Sequence, residues 1–303
     1  MEATEILARR VERPLWLQWP HTLYRFARRK PLGALGGVIV VVMMVLGIIT
    51  MTPLADLVIP YPYGKQDYDA ILQKPSLSHP LGTDWVGRDE LSRIMYGARV
   101  SILVGFGAVG LAQTLATILG MTSGYYGGRF DIFLQRFVDL WLSFPSLILI
   151  LTFLVIIGVG LPQLIIAIGL RYAVSASRTT RSAVIAVRNN TYVEAARVVG
   201  ANDLRIMGVY LLPNVFPVIL TIATAEVGFV ILTEATISFL GYGIPPPFPA
   251  WGAMLSLDAM QHLERAPWLS LAPGLAIALT VYGFNILGDA LRDVLDPRLR
   301  GSF

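Results

Sequence analysis

The chain has 303 residues, of which 55% are hydrophobic and only 15% are charged, and its formal net charge is +4. Soluble domains usually carry about 25% charged residues, and the apolar residues here form long blocks, so the composition excludes an ordinary soluble domain and favours a polytopic membrane protein. The basic residues form no patch interleaved with aromatic residues, so we expect no nucleic-acid partner, and the absence of cysteine excludes disulfides and thiolate metal sites.

The first apolar block, residues 32–52, follows a polar and basic tail at residues 1–31. Such a block is long enough to cross about 30 Å of hydrocarbon as a helix, and it is too long for the apolar region of a cleavable signal peptide. We therefore predict a retained membrane anchor. Because basic residues precede it directly, we expect the N-terminus to be cytoplasmic.

A polar loop at residues 53–97 is predicted to lie outside the membrane. Leu91, Ile94 and Met95 lie among charged residues in this loop, which predicts a short amphipathic helix at the membrane surface. The arginines of the loop run against the usual excess of basic residues on the cytoplasmic side, but that excess is a statistical tendency. We keep the loop outside.

Later apolar blocks bring the predicted number of transmembrane helices to six, with both termini in the cytoplasm. Pro145 lies inside the third span, and Arg171 lies inside the fourth without a role that we can assign. Glycines at 105, 107, 110, 120 and 124 are expected to allow close helix packing. The predicted spans are residues 32–52, 99–120, 137–159, 163 to about 178, 214–240 and 270–288.

A polar segment at about 188–213 separates the fourth and fifth spans. Thr191-x-x-Glu194 fits a capping box, in which both side chains satisfy free N–H groups at a helix start. Ala195 and Ala196 would then give the helix small faces that allow close approach by a partner. An ordinary capped loop helix, in which Glu194 only caps, is the alternative.

This first short helix is predicted to end at Gly200, which tolerates a left-handed turn. Asn202 or Asp203 can cap a second short helix that carries Leu204. Pro213 lacks an N–H and is expected to start the next element. The segment is therefore predicted to form a compact knob of two helices joined at a glycine.

Two acids, Glu226 and Glu234, lie in the fifth predicted span. They are eight residues apart, which places them roughly 80° apart around a helix and about 12 Å apart along it. An acid at the centre of a bilayer costs about 2.5–3.5 kcal/mol on insertion scales, so each should face protein or a water-filled path. They either line a substrate path or make buried interhelical hydrogen bonds. We assign Asn285, in the last span, to the same predicted path.

The spacing of Glu194-Ala195-Ala196, Gly200 and Leu212-Pro213 resembles the cytoplasmic "EAA" loop of ABC importer permeases. Further segments resemble the dipeptide, oligopeptide and nickel group of these permeases, in its second-subunit ("C") type. Together the matching segments cover most of residues 79–300, whereas the first 78 residues match only as a basic tail and an anchor helix. The further segments are His79–Asp84, Gly87–Asp89, Tyr96–Ser101, Ser238–Gly241, Trp251-Gly252, Phe284-Asn285, Gly288-Asp289 and Leu295–Leu299.

The resemblance implies an all-α fold of the type I ABC importer permease class. It implies two units, residues 1–78 with the tail and first helix, and residues 79–303 with the permease domain. It also implies a heterodimer with a related permease, two cytoplasmic ATPases and an external solute-binding protein, all at a prokaryotic inner membrane. The ATPase-coupling residues would be Glu194, Ala195, Ala196, Gly200, Asp203, Leu204 and Pro213.

We expect no catalytic residue, metal site or cofactor in this chain, with ATP and Mg bound by the partner ATPases. The sequence contains no G-x-x-x-x-G-K-[ST] phosphate loop, no H-E-x-x-H and no G-x-S-x-G. Di- or oligopeptides are the first choice of substrate by family frequency, with nickel and oligosaccharides as alternatives. A different class of function, a proton-coupled secondary transporter with Glu226 and Glu234 as its relay, also stays open.

Overall fold

A computed structural model describes residues 27–28 and 30–295. The predicted N-terminal tail falls almost wholly outside these residues, as do Arg298 and Arg300 at the predicted cytoplasmic C-terminus. The described residues are predominantly helical and contain no β-strand, which confirms the all-α fold class. In chain order the helices are α1 (Pro31–Ile49), α2 (Ala55–Val58), α3 (Glu90–Tyr126), α4 (Gly128–Ser143), α5 (Ser146–Ile157), α6 (Leu161–Val187), α7 (Thr191–Val198), α8 (Asp203–Arg205), α9 (Leu212–Phe239), α10 (Trp251–Met254), α11 (Leu257–Gln261) and α12 (Trp268–Leu295).

Four helical runs are long and apolar enough to cross a membrane: α1, α3, the continuous run from α8 to α9, and α12. The pair α4 and α5 gives a fifth span if the two are counted together. Helix α6 has 27 residues, about 40 Å of helix, but it carries Arg171, Arg178 and Arg181. The described helices thus provide four or five spans by length and composition, and the six-span topology with cytoplasmic termini stays a prediction.

Helix α3 is a single helix of 37 residues, so the predicted surface helix around Leu91 and Ile94 is wrong as a separate element. The Asp89 carboxylate caps the helix by accepting a hydrogen bond of 2.8 Å from the Ser92 N–H. No helix-breaking residue follows before the apolar stretch. Trp251, the first residue of α10, donates to the Ile94 carbonyl at 2.9 Å, so this first part of α3 is covered by protein.

The third predicted span, residues 137–159, is wrong as one continuous helix. Helices α4 and α5 meet at a 91° bend. Pro145 lacks an N–H and disfavours helical geometry in the residue before it, and Phe144 accordingly has a ψ of 138°. Helix α4 begins earlier than expected, at Gly128, and α5 forms the second half of the predicted span.

The centre of the bundle is the side-by-side packing of α3 and α6, which run parallel. At Gly120 an added Cβ would lie 2.6 Å from the Ser177 carbonyl oxygen, so only glycine permits this approach. Gly110, by contrast, has no atom within 4 Å of that position, so it makes no close helix contact within the described residues, and its packing role stays a prediction. Helix α9 runs antiparallel to α3 and packs beside α12, and α1 is joined to α12 by an ion pair of 2.7 Å between Lys30 and Asp293.

A buried charge cluster explains the arginines of the predicted outer loop. The Asp84 carboxylate, 1% exposed, accepts a hydrogen bond of 2.6 Å from Arg88 Nε and lies 3.7 Å from Arg93 Nε. Both arginines are largely buried. The Asp84 carboxylate therefore offsets part of their charge inside the folded loop, which makes these two arginines compatible with the predicted outer position.

Candidate coupling surface and membrane cavities

The first helix of the segment at 188–213, hereafter the coupling segment, begins at Thr191. Asn190 occupies the N-cap position and makes no side-chain capping bond. The predicted capping box is therefore wrong, because Thr191 is already the first helical residue. The Glu194 side chain is exposed and makes no hydrogen bond or ion pair within the described part of the chain, so it is not the capping side chain of the alternative interpretation.

The turn after α7 has the predicted left-handed glycine. Gly200 has a φ of +85°, and its N–H donates to the Arg197 carbonyl at 2.9 Å. The Ala201 N–H donates to the Ala196 carbonyl at 3.0 Å, which completes a Schellman motif. Asn202 then caps α8 by accepting from the Arg205 N–H at 2.9 Å, so the geometry selects Asn202 over Asp203 as the cap.

Buried side chains mount the coupling segment on the ends of α3 and α6. Ala196 is 6% exposed and faces this core, while its neighbour Ala195 is exposed. The Tyr125 hydroxyl at the end of α3 donates to Asp203 Oδ1 at 2.7 Å, and the Arg197 guanidinium lies 5.5 Å from the centre of the Tyr125 ring. The shared core consists of Met121, Tyr125, Val184, Val193, Ala196, Ile206, Met207, Leu211, Val215 and Ile219.

The other side of the coupling segment is apolar and uncovered. Val198 and Val199 are each 87% exposed and Leu204 is 77% exposed. Together with Glu194 and Ala195 these residues form what we call the coupling surface. Three large aliphatic side chains this exposed on a rigid mount are typical of a protein interaction site rather than of scattered surface residues.

Helix α9 joins this surface to the interior of the bundle without a break. The π-helical segment Ile206–Leu211 connects α8 to α9, and Pro213 is the second residue of α9. Pro213 therefore lies within a continuous helical run from Asp203 to Phe239. Movement of the coupling surface can therefore pass along this continuous helical run into α9.

Two of the cavities along α9 meet at Glu226. One has a volume of about 410 Å³ and lies between α5, α6 and α9; the other, of about 450 Å³, lies between α6, α9 and α12 nearer the coupling segment. Glu226 and Phe229 line both. One face of α9 lines one side of both cavities. Its side chains there recur every three or four residues: Pro217, Thr221, Ala225, Phe229, Thr233 and Thr236.

Glu226 is held at the junction of the two cavities. Its Oε2 accepts a hydrogen bond of 2.7 Å from Gln113 Nε2 of α3. Arg171 of α6 lines the same cavity, and no ion pair within 4.0 Å joins it to Glu226. Its Nε is buried without a hydrogen-bond partner in the described residues.

The other two residues of the predicted path are placed differently. Glu234 is fully buried, accepts a hydrogen bond of 2.6 Å from Ser238 Oγ on its own helix, and lines neither of these cavities. Asn285 packs against Gly228, where α12 approaches α9. The pathway role of Glu226, Glu234 and Asn285 stays a prediction, and the geometry brings only Glu226 to a cavity.

The sequence did not predict the partners of Glu226 and Asp203. Gln113 sits in a long apolar helix, and Tyr125 lies 78 residues from Asp203 along the chain, so neither contact has a local pattern. The threonines of α9 did carry a signal, because Thr221, Thr233 and Thr236 recur at helical spacing on one face.

The sequence from residue 116 to residue 301 matches the family described as binding-protein-dependent transport system inner membrane component. The chain belongs to this family. It is 43% identical over 229 residues to the dipeptide transport system permease protein DppC of Alkalihalophilus pseudofirmus, covering 76% of this chain and 75% of that one. It is 39% identical over 234 residues to the glutathione transport system permease protein GsiD of Pectobacterium atrosepticum, covering 77% of each.

The fold of the permease is also that of a solved structure. A chain of the MetNI methionine ABC transporter, in an inward-facing conformation, superimposes with a TM-score of 0.54 at 17% identity, covering 67% of this chain and 96% of that one. The resemblance to ABC importer permeases and the type I fold are thereby confirmed. The permease is a multi-pass membrane component of an importer, and its described residues contain no group of three or more His, Asp or Glu able to hold a metal ion.

Proposed function

We propose that the permease is the channel subunit of an ATP-driven importer of di- or oligopeptides in a prokaryotic inner membrane. Relatives that are about 40% identical over three quarters of the chain are named as dipeptide and glutathione transport permeases, which supports a peptide substrate. The proposed assembly contains a second, related permease, two cytoplasmic ATPases and an external solute-binding protein. The ATPases bind ATP and Mg, and this chain carries out no covalent chemistry.

The observation that carries the proposal is the coupling surface. Val198, Val199 and Leu204 project from a segment whose opposite side is locked into the bundle core. An apolar protrusion of this kind fits a groove on an ATPase, with the Glu194 carboxylate at its edge. Burial of the three aliphatic side chains would contribute about 1.5–3 kcal/mol each as an upper bound.

Motion would pass from this contact into the cavities. When the ATPases close on ATP, the docked α7 moves with them, and α8, the π-helical segment and α9 follow as one continuous run. Because α9 lines both cavities, its displacement changes which of them is open. The permease domain of residues 79–303 would switch in this way between inward-facing and outward-facing states, with residues 1–78 contributing the tail and the anchor helix.

Crosslinking tests the coupling surface directly. The chain has no cysteine, so Val199→Cys and Leu204→Cys each introduce a single thiol into an otherwise unreactive protein. We expect both to be labelled by a thiol reagent only from the cytoplasmic side, and to crosslink to the co-encoded ATPase. Leu77→Cys in the predicted outer loop is fully exposed and serves as the control, with labelling from the outside and no ATPase crosslink. Labelling of Val199→Cys from the outside would end the proposal.

Uptake measurements test the energy source and the substrate. Proteoliposomes containing both permeases and the ATPases should take up a dipeptide only with internal ATP and with external binding protein. Competition by nickel or by an oligosaccharide, without competition by peptides, would replace the substrate class. Uptake that stops with an uncoupler while ATP is constant would instead support proton coupling.

A further inference from the structure

The proposed importer function does not explain why two opposite charges lie in one intramembrane cavity without forming an ion pair. Arg171 and Glu226 both line the 410 Å³ cavity. Charged side chains inside a membrane are costly and normally pair with one another. Here the nearest contacts within the protein are a hydrogen bond from Gln113 to Glu226 and, for Arg171 Nε, no partner at all in the described residues.

Side-chain hydrogen bonds fix the surroundings of the two charges. Gln113 projects from α3 and holds the Glu226 carboxylate. The Tyr172 hydroxyl, next in sequence to Arg171, lies 3.0 Å from the Thr233 hydroxyl, which ties α6 to α9 one residue from Arg171. The Glu226 carboxylate thus has its hydrogen-bond partner on α3, and neither of the two hydrogen bonds involves Arg171.

The rest of the cavity suits a small, variable ligand. Its volume lies in the range of about 300–1,000 Å³ that is usual for small-molecule sites. Hydroxyl groups, which can bind amide groups of a ligand, alternate with apolar walls that make no directional demand. The hydroxyl-bearing residues are Ser146, Tyr172, Ser175, Thr233 and Thr236, and the apolar ones are Leu147, Ile150 and Phe229.

We propose that Arg171 and Glu226 form a recognition site for a short zwitterionic peptide, in which Arg171 binds the terminal carboxylate and Glu226 binds the terminal ammonium group. A ligand that carries both charges pairs with Arg171 and with Glu226, whereas a ligand with a blocked end leaves one of these buried charges unpaired. The permease itself then selects for free peptide ends. This inference rests on the proposed importer function and adds a specificity site to it.

The test uses the complete reconstituted importer with one preparation of binding protein throughout, so that the contribution of the binding protein to selectivity is constant. Uptake of dialanine is compared with uptake of its N-acetylated form and of its C-terminal amide. Glu226→Gln should reduce the preference for a free amino end about tenfold, since charge-assisted hydrogen bonds are among the strongest, and leave the carboxyl preference unchanged. Arg171→Gln should do the reverse.

Arg178→Gln is the matched control for Arg171→Gln. Arg178 lies on the same helix, is exposed, pairs with Asp139 and lines neither cavity. Its preferences should equal those of the unmodified complex. If both cavity variants keep the original preferences while ATP-driven uptake persists, the recognition site is refuted and the importer function stands. If the unmodified complex takes up no peptide with ATP, the proposed function itself fails.

A measurement with both charges intact covers the case in which a variant does not assemble. Thr236→Cys places a single thiol in the same cavity. Dialanine should protect this thiol from a maleimide, and dialanine blocked at both ends should protect it at least tenfold less. Equal protection by the two peptides would overturn the inference.

Discussion

Replacing Gly200 tests whether transport depends on the geometry of the coupling segment. Gly200 has a φ of +85°, and an added Cβ would meet no atom within 4 Å. A side chain here therefore causes no steric clash with the rest of the protein, and its only cost is backbone strain. That strain is about 1–2 kcal/mol for an L-residue in the left-handed region, and it is greater for a β-branched one.

A cost of this size is small beside a folding free energy of about 5–15 kcal/mol, so the protein should still fold and assemble. Within the turn, however, it shifts the balance by about tenfold toward backbone geometries with negative φ. Such a change would break the Schellman bonds and swing Leu204 relative to Val199, so that the two no longer fit one groove. We expect Gly200→Ala to lower ATP-driven uptake several-fold and Gly200→Val to lower it further.

The assay compares uptake with the ATPase activity of the reconstituted complex. We expect the basal ATPase rate to be retained and its stimulation by peptide-loaded binding protein to be lost. Gly110→Ala is the control, because Gly110 is also exposed, has open space around it, is not in the left-handed region and lies outside the coupling segment. Normal uptake by Gly200→Val, with assembly equal to that of the control, would refute the assigned role of this turn.

Three further predictions address stability and local order. Gly120→Ala should lower the melting temperature of the purified protein, because overpacking against backbone costs about 1–3 kcal/mol, whereas Gly110→Ala should not lower it. Tyr125→Phe removes one hydrogen bond to the coupling segment and should speed amide hydrogen exchange in α7 and α8 about fivefold, with no change in α6. Asp84→Asn removes the carboxylate that pairs with two buried arginines and should cost about 3–5 kcal/mol, seen as poor folding in membranes; a melting temperature equal to that of the unmodified protein would contradict the buried-cluster assignment.

Local chemistry made the coupling segment largely predictable. A glycine between two short helical patterns indicates a left-handed stop, and the Schellman bonds at Gly200 confirm that prediction. The position of the cap was wrong by one residue, because Asn190, directly before Thr191, is also a favoured N-cap residue. That one-residue shift changes the interpretation of Glu194 from a capping side chain to an exposed carboxylate.

Hydropathy was a weaker guide where tertiary structure covers polar groups. The start of α3 looked like a surface helix because Glu90 and Arg93 are charged, yet both are buried beneath the folded loop. The bend at Pro145 was visible in the sequence as a proline, but a proline inside an apolar block is compatible with either a kink or a break. At the start of α3 a contact with a residue distant in sequence, Trp251, decided the outcome.

The distance between the coupling surface and Glu226 constrains how transport can be coupled. From Leu204 to Glu226 the chain is helical throughout, and 22 residues correspond to about 33 Å. Over that length the α-helical hydrogen bonding is interrupted at the π-helical segment Ile206–Leu211 and at Pro213 and Pro217, which donate no backbone hydrogen bond. Beyond Pro213, α9 is held to α3 by a hydrogen bond from Gln113 and to α6 by a hydrogen bond that its own Thr233 makes. A force on the coupling surface therefore acts on a helix that is held at the cavity and is most flexible near Pro213. We expect α9 to tilt about the Glu226 region, which closes one cavity as it opens the other.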